Sequence, residues 1–202
     1  MVTIVDYKVG NLGSIQNMLK KIGAACEITS DPERLKSAEK IILPGVGSFD
    51  SGMESLKKYS LLEVLNDKVL KERIPILGIC LGSQLLCKES EEGKLKGLGW
   101  INAKVKKFNF TDRKYKVPHI GWNYTRLQKE SNLFKDMFED PKFYFVHSYY
   151  MDVADNSGLT KTKYSFNFDS AVEKDNILGV QFHPEKSHKF GMKLLENFVL
   201  EY

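Results

Sequence analysis

The sequence predicts an α/β protein with a largely parallel sheet and helices on both of its faces. Short apolar segments alternate with helical patterns through the first half of the chain. Loops that are polar or rich in glycine follow three of these segments, which is typical of the ligand-binding edge of such a sheet. The second half has several strand-like segments in succession, so we expect antiparallel or mixed pairing there. Because no linker, repeat or low-complexity tract interrupts the sequence, we expect one domain over residues 1–202.

Four apolar segments of the first half predict parallel strands. They are Thr3–Val5, Cys26–Ile28, Lys40–Leu43 and Pro75–Ile79. Apolar residues at helical spacing predict helices over residues 15–22, 53–59 and 61–70. A further helix is expected to begin at Asp31, because this N-cap residue precedes Pro32. Between the third strand and the next helix, Pro44–Gly52 is rich in glycine and predicts a loop.

The second half of the chain predicts further strands and one closing helix. Strand-like segments occur at residues 98–108, 116–124, 143–150 and 177–182. Weaker alternation surrounds Phe166 and Ala171, and the helix is expected at about Phe190–Leu200.

Composition and charge argue against several classes of function. The formal net charge is +4, and lysines are interleaved with acidic residues, so we expect no nucleic-acid partner. Lys104–Lys107, the densest basic stretch, alternates in the way that the solvent face of a strand does. No apolar run approaches the ~18 residues of a membrane span, so we expect no membrane partner. Met1–Asp6 lacks the basic segment of a signal peptide.

The cysteines indicate the compartment. The chain has an odd number of cysteines, and they lack the spacing of metal ligands. They are Cys26, Cys80 and Cys87. We therefore expect reduced thiols in a cytoplasmic protein, with no metal and no cofactor.

Cys80 lies where an apolar strand meets a helical pattern, with Gly78 and Gly82 on either side. This G-x-C-x-G pattern has the form of a nucleophile elbow, in which a sharp turn exposes the reactive side chain above the sheet. The Leu81 amide would then point toward the place where an oxyanion forms. The alternative is that Cys80 is a small buried hydrophobic residue, which is the usual role of a lone cysteine.

His183 and Glu185 directly follow the last predicted strand, and Pro184 makes the chain leave the sheet there. Residues two apart lie on the same side of an extended chain, so one could face Cys80 while the other orients its ring. That is the arrangement of a nucleophile, a base and an orienting carboxylate. Considered alone, the pair could instead be a capped strand end with an exposed histidine.

Several segments together resemble known proteins. Pro44–Gly47, Gly78–Gln84 and Gln181–Lys186 resemble the class I glutamine amidotransferases. Within that class, Asp6–Asn11, Pro118–Asn123 and Val146–Tyr149 resemble the glutaminase subunits of imidazole glycerol phosphate synthases. The resemblance covers nearly the whole chain in the expected order. It implies a flavodoxin-like, doubly wound mixed sheet that forms a single class I amidotransferase domain.

The resemblance also implies a reaction, the hydrolysis of L-glutamine to glutamate and ammonia through a cysteine thioester. It assigns the nucleophile to Cys80, the proton transfer to His183 and the orienting carboxylate to Glu185. The oxyanion hole is assigned to Gly45, Val46, Gly47 and Leu81. The residues assigned to the glutamine pocket are Gln84, His147, Ser148 and Tyr149.

A subunit that releases ammonia needs a partner to receive it, and the resemblance implies a (β/α)8-barrel synthase in a heterodimer. That partner makes imidazole glycerol phosphate and an aminoimidazole carboxamide ribotide in histidine biosynthesis. The positions assigned to its interface are Asn11, Trp122 and Lys186. Two departures leave a second pathway open: Lys8 replaces a common glycine, and Lys186–Gly191 resembles relatives that supply ammonia for amidino groups of surface sugars.

Three other functions were weighed against this one from the sequence. A cysteine peptidase or other acyl hydrolase would share Cys80 and His183 but would not need the Pro44–Gly47 segment. A binding module with a degenerate site is disfavoured by the intact cysteine, histidine and glutamate. A phosphate site at Gly45–Gly52 is also disfavoured, because this segment lacks the lysine of a P-loop and the spacing of its serine or threonine.

Overall fold

A mixed sheet of eleven strands forms the centre of the structure, a computed structural model that describes residues 1–202. The strands of the first half are β1 (Val2–Val5), β2 (Cys26–Thr29), β3 (Lys40–Gly45) and β4 (Ile76–Cys80). The helices between and after them are α1 (Leu12–Lys21), α2 (Pro32–Leu35), α3 (Phe49–Lys58), α4 (Leu61–Asn66) and α5 (Leu81–Leu85). A π-helical turn, Asp67–Lys71, extends α4.

The second half supplies nine more strands and the last helix. The strands are β5 (Glu89–Ser90), β6 (Ala103–Lys107), β7 (His119–Tyr124), β8 (Arg126–Leu127), β9 (Lys142–His147), β10 (Tyr149–Val153), β11 (Gly158–Tyr164), β12 (Phe166–Lys174) and β13 (Ile177–Val180). Short 3-10 helices cover Asn132–Phe134 and Pro184–Lys186, and α6 spans His188–Glu201.

The order of strands in the large sheet confirms the expected fold class. The order is β2-β1-β3-β4-β13-β12-β10-β6-β5, with β11 paired to β12 and β8 paired to β11. The first five strands are parallel, whereas β12, β10 and β6 pair in an antiparallel manner. The β2-β1-β3-β4 arrangement is that of flavodoxin-like, doubly wound sheets. Strands β7 and β9 form a separate two-stranded antiparallel sheet.

Helices cover both faces of the parallel part, so its strands are buried on both sides. Along β3, Ile41 and Leu43 pack into one apolar cluster, and Ile42 packs into the other. Successive side chains of a strand point to opposite faces, which explains why this strand is apolar without alternation.

The predicted loop at Pro44–Gly52 is wrong in its second half. Only residues 46–48 are irregular, and α3 begins at Phe49. Ser48 caps that helix by accepting a hydrogen bond from the Ser51 amide at 3.4 Å, and the Phe49 side chain is fully buried. The cap and the buried anchor start the helix earlier than the glycine content predicts.

Two expected strands of the second half differ from the structure. Of residues 98–108, only Ala103–Lys107 is a strand, because the Leu98 and Ile101 amides donate to the carbonyls of Leu85 and Leu86. The expected strand at 143–150 divides at Ser148, where the chain passes from β9 in the small sheet to β10 in the large one. None of the helices combines the length and hydropathy that crossing a membrane requires.

Candidate active site

Cys80 ends β4 in a left-handed conformation, with φ 53° and ψ −110°, and α5 begins at the next residue. The flanking glycines allow this sharp turn to pack closely. A Cβ atom at Gly78 would lie 2.8 Å from the backbone of Ser83, and one at Gly82 would overlap the carbonyl of Leu43. The close approach of α5 to β3 and β4 therefore requires glycine at both places. The geometry is that of the expected nucleophile elbow.

His183 and Glu185 form a buried pair directly after β13. The Nδ1 atom of His183 lies 2.7 Å from Oε1 of Glu185, and their side chains are only 2% and 3% exposed. The other ring nitrogen, Nε2, is buried without a hydrogen-bond partner, so it is the atom available to exchange a proton. Burial alone would lower the pKa of His183, but the Cys80 sulfur and the Glu185 carboxylate outweigh it and raise that pKa to about 10.

Cys80 and His183 open into one cavity of about 370 Å³. The residues that line it are Val46, Gly47, Cys80, Leu81, Gln84, Glu92, Pro118, Val146, His147, Ser148, Tyr149 and His183. All four residues expected in the glutamine pocket are among them. Glu185 is not, because it lies behind the imidazole that it holds.

The pocket side chains are tied to one another. The Gln84 side-chain amide donates to the Tyr149 carbonyl at 3.2 Å and to Gln181 Oε1 at 2.9 Å. His147 contacts the same carbonyl through Nδ1 at 2.7 Å. These bonds join α5, β9, β10 and the residue that follows β13 around the space in front of Cys80.

The segment expected to supply an oxyanion hole lies beside the elbow. Val46 and Gly47 line the cavity, and so does Leu81. Gly45 does not line it, but it is the β3 residue that pairs with Cys80. The strand end is held by the buried Tyr7 hydroxyl, which donates to the Pro44 carbonyl at 2.5 Å. Gly47 has φ 111°, a conformation that favours glycine. The peptides here can therefore adopt orientations that a side chain would forbid.

The three positions expected at a partner interface are all exposed. Trp122 is 43% exposed and packs edge-on against Tyr144. The Lys186 ammonium lies 5.8 Å from the centre of the same tyrosine ring, so these two residues share one surface. Asn11 caps α1, which packs beside the 3-10 turn that contains Lys186.

Three lining or supporting residues lie outside the sequence-based expectations. Gln181 is fully buried, and its side-chain amide lies 3.8 Å from the Cys80 sulfur as a donor. Glu92 accepts a hydrogen bond from the Phe49 amide at 2.8 Å and caps α3 at the cavity wall. Pro118 also lines the cavity. Only Gln181 had a signal in the sequence, since it is two residues before His183 and residues two apart lie on the same side of an extended chain.

The arrangement fits nucleophilic attack by sulfur on a carbonyl carbon. A cysteine, a histidine and a carboxylate occur in the required order, and a pocket lined by both polar and apolar residues adjoins them. The structure contains no group of three or more histidine, cysteine, aspartate or glutamate side chains that could hold a metal ion.

Comparison with known proteins gives the class. The family model described as "Glutamine amidotransferase class-I" matches residues 3–202. The chain belongs to this family. Solved structures agree on the fold: one described as a glutamine amidotransferase has a TM-score of 0.75 at 18% identity and covers 100% of this chain and 98% of its own. PurLQS from Thermotoga maritima gives 0.74 at 17% identity, covering 98% and 96% of the two chains.

Within the family, the chain is similar to one kind of subunit. It is 57% identical to imidazole glycerol phosphate synthase subunit HisH 2 of Methanococcus maripaludis, over 98% of both chains. It is 48% identical to the protein of the same name in Pseudomonas aeruginosa, again over 98% of both chains. The subunit HisH of Leptospira interrogans is also 48% identical, over 98% of this chain and 99% of that one.

Proposed function

We propose that this chain is the glutaminase subunit of an imidazole glycerol phosphate synthase. In this role one domain, residues 1–202, hydrolyses L-glutamine to glutamate and ammonia. The ammonia passes to a (β/α)8-barrel synthase subunit of a cytoplasmic heterodimer in histidine biosynthesis. The placement of Cys80 and His183 at one cavity, with Glu185 bonded to the far side of the His183 ring, supports the chemistry. The identity of 57% to a full-length relative of that name supports the pathway.

The first half of the reaction forms a thioester. The Cys80 thiol gives its proton to His183 Nε2, the sulfur attacks the side-chain amide carbon of glutamine, and the carbonyl oxygen takes the negative charge. When the tetrahedral intermediate collapses, the carbon–nitrogen bond breaks. The proton carried by His183 Nε2 passes to the departing nitrogen, which leaves as ammonia. Glu185 keeps the ring oriented through Nδ1 and stabilises its charged form.

The second half of the reaction releases glutamate. Water attacks the thioester carbon while Nε2 of His183 accepts one of its protons. The carbon–sulfur bond then breaks, glutamate leaves, and the proton returns to the Cys80 sulfur. No metal or cofactor takes part in either step.

The negative oxygen of each intermediate needs hydrogen-bond donors. We assign these to the backbone of Gly45, Val46, Gly47 and Leu81. Val46, Gly47 and Leu81 line the cavity beside Cys80, which supports the assignment. Glutamine itself would lie against Gln84, His147, Ser148 and Tyr149, which line the same cavity.

The barrel subunit would bind the surface that contains Trp122 and Lys186. On β7, Ile120, Trp122 and Tyr124 are 60%, 43% and 56% exposed, an apolar row that suits a protein partner. Asn11 is the third interface position, at the start of α1. Supply of ammonia to sugar amidation is not favoured, because the relatives reported above all carry the name of the synthase subunit.

A coupled assay tests the proposal. Glutamate release from glutamine is measured for the purified chain alone, and then with the barrel synthase and its ribonucleotide substrate. We expect slow release by the chain alone, a large increase with the loaded partner, and none from Cys80→Ala. Full activity without the partner would contradict the gated function. Release that does not depend on Cys80 would contradict the chemistry.

A further inference from the structure

Strand β7 presents two sets of side chains with opposite surroundings. Ile120, Trp122 and Tyr124 are exposed on its outer face. His119 is only 3% exposed, and Asn123 shares its inner face, because alternate residues of a strand point to the same side. Strand β7 therefore contributes both to the expected partner surface and to a buried polar group that contains His119.

The inner residues begin a chain of hydrogen bonds. Asn123 Nδ2 lies 3.3 Å from His119 Nε2, and His119 Nδ1 lies 2.9 Å from His147 Nε2. His147 Nδ1 then lies 2.7 Å from the Tyr149 carbonyl oxygen. We call this chain, from Asn123 to the Tyr149 carbonyl, the relay. The register of β7 and β9, which pairs His119 with His147, brings the two rings together.

The chemistry of the acceptor fixes every proton in the relay. A carbonyl oxygen only accepts, so His147 Nδ1 carries its hydrogen and His147 Nε2 is an acceptor. His119 Nδ1 must then donate, which leaves His119 Nε2 to accept from the Asn123 amide. Both rings are neutral in this arrangement, with no nitrogen free for a further proton. Burial favours the neutral form, since it lowers the pKa of His119 to about 4 and that of His147 to about 3.

Packing leaves the central ring no freedom to turn. The His119 ring stacks between Tyr164 and Phe145, with centroids 4.0 and 4.9 Å away. Asn123 is held in addition by a 3.0 Å bond from Nδ2 to the Lys163 carbonyl. A small movement of β7 would therefore be transmitted through bonded atoms instead of being absorbed by rotation.

The other end of the relay lies in the cavity beside Cys80. The Tyr149 carbonyl that His147 contacts also accepts from the Gln84 side chain at 3.2 Å. His147, Tyr149 and Gln84 all line that cavity. The relay thus sets the position of one wall of the space in which the substrate would bind.

We propose that His119 and Asn123 are positioning residues of the glutamine pocket, and that the relay couples the exposed face of β7 to the Tyr149 carbonyl. This role rests on the proposed function, since it concerns the same pocket and the same partner. A protein seated on Trp122 and its neighbours would shift β7, and the relay would carry that shift to the wall formed by Tyr149 and Gln84. Neither positioning residue touches the reacting atoms.

Two pairs of matched variants test the relay. His119→Leu removes the donor to His147, whereas His119→Asn keeps an N–H at about the place of Nδ1. Asn123→Ala removes the donor to His119 at the β7 end of the relay. Its control is Asn167→Ala, which changes an exposed asparagine of β12. With the barrel subunit present, His119→Leu should raise the KM for glutamine about tenfold and reduce the stimulation by the partner several-fold, whereas Asn123→Ala, which leaves the donor to His147 in place, should raise that KM about threefold. His119→Asn keeps the donor to His147 but loses the contact with Asn123, so it should match Asn123→Ala, and Asn167→Ala should stay within about twofold of the unchanged chain.

A second readout separates positioning from a loss of structure. Nitrogen-15 NMR reports directly whether His147 Nε2 accepts a hydrogen bond. In His119→Leu its resonance should move toward that of a free imidazole nitrogen, while His119→Asn should keep the original shift. The affinity for the barrel subunit, measured by calorimetry, should not change in either variant.

The outcomes distinguish this inference from the function on which it rests. Suppose that the unchanged complex releases glutamate and that His119→Leu matches His119→Asn in KM, in stimulation by the partner and in nitrogen shift. The relay is then contradicted, whereas the proposed function stands. If both variants lose melting temperature and activity equally, His119 is only structural and the inference is again wrong. If the unchanged complex shows no glutaminase activity dependent on Cys80, the proposed function fails and the relay's role fails with it.

Discussion

The imidazole of His183 and the carboxylate of Glu185 lie 2.7 Å apart, and a single residue, Pro184, separates them in the sequence. Pro184 begins a short 3-10 turn that brings both side chains to the same side of the backbone. Both are almost fully buried, so the interaction is little screened by water. The carboxylate fixes which ring nitrogen remains free to face the thiol.

Loss of the Glu185 charge should impair catalysis more than substrate binding. Glu185→Gln keeps the shape of the side chain but cannot stabilise the charged ring, and its amide favours the wrong tautomer. We expect kcat for glutamine hydrolysis in the complex to fall about 100-fold, with little change in KM. The control is Glu63→Gln, an exposed glutamate of α4. Equal kcat values for the two variants would show that Glu185 does not orient the base.

The raised pKa of His183 predicts how stability depends on pH. A histidine with a pKa of about 10 in the folded chain and an ordinary value of 6.5 stabilises the fold fully below about pH 6.5. That contribution is lost as the pH rises from 6.5 to 10. The difference in unfolding free energy between the unchanged chain and His183→Gln should therefore be larger at pH 6.5 than at pH 10. A difference that is constant or grows with pH would contradict the buried ion pair.

Gln181 should support the reactivity of the thiol. Its side-chain amide donates to the Cys80 sulfur at 3.8 Å, and its oxygen accepts a hydrogen bond from the Gln84 side chain. Gln181→Met fills the same space but cannot donate, and a hydrogen bond to a charged sulfur is worth roughly 1.5 kcal/mol. We expect alkylation of Cys80 by iodoacetamide to slow about tenfold. Gln128→Met, at an exposed position, is the control, and equal rates in the two variants would contradict the role.

The elbow should not tolerate a side chain on its inner face. At Gly82 an added Cβ would overlap the carbonyl of Leu43, so α5 must move away from β3. We expect Gly82→Ala to lose about 3 kcal/mol of unfolding free energy. Gly13 lies in α1 with open space around its Cα, and Gly13→Ala should gain about 0.5–1 kcal/mol. Chemical denaturation measures both, and a tolerated Gly82→Ala would contradict the packing of the turn.

The turn at Cys80 and the position of the His183–Glu185 pair could be predicted because each is encoded locally. The glycines around Cys80 and the proline between His183 and Glu185 predict the backbone turn at each of these places. Parallel strands bring their carboxyl ends to one edge of the sheet. The same holds for the caps at Asp31 and for the alternation of strands and helices in the first half. These features need no knowledge of distant contacts.

The features that sequence did not predict arise from distant contacts. Gln181 faces Cys80 across 101 positions of the chain, and Glu92 caps a helix that begins at Phe49. The strand expected at residues 98–108 begins only at Ala103, because the Leu98 and Ile101 amides donate to the carbonyls of Leu85 and Leu86. The pairing of His119 with His147 depends on strand register, which spacing alone does not determine.

Covalent capture by a glutamine analogue tests the central claim most directly. The complex is incubated with 6-diazo-5-oxo-L-norleucine, and fragment ions assign the adduct within the peptide that contains both Cys80 and Cys87. Cys87 is an internal control, since it is fully buried and burial raises its pKa well above the ordinary value. We predict one adduct, located on Cys80, slowed by excess glutamine and absent from Cys80→Ala. Labelling of Cys26 at the same rate, or labelling that glutamine does not slow, would contradict a glutamine-specific thiol at this elbow.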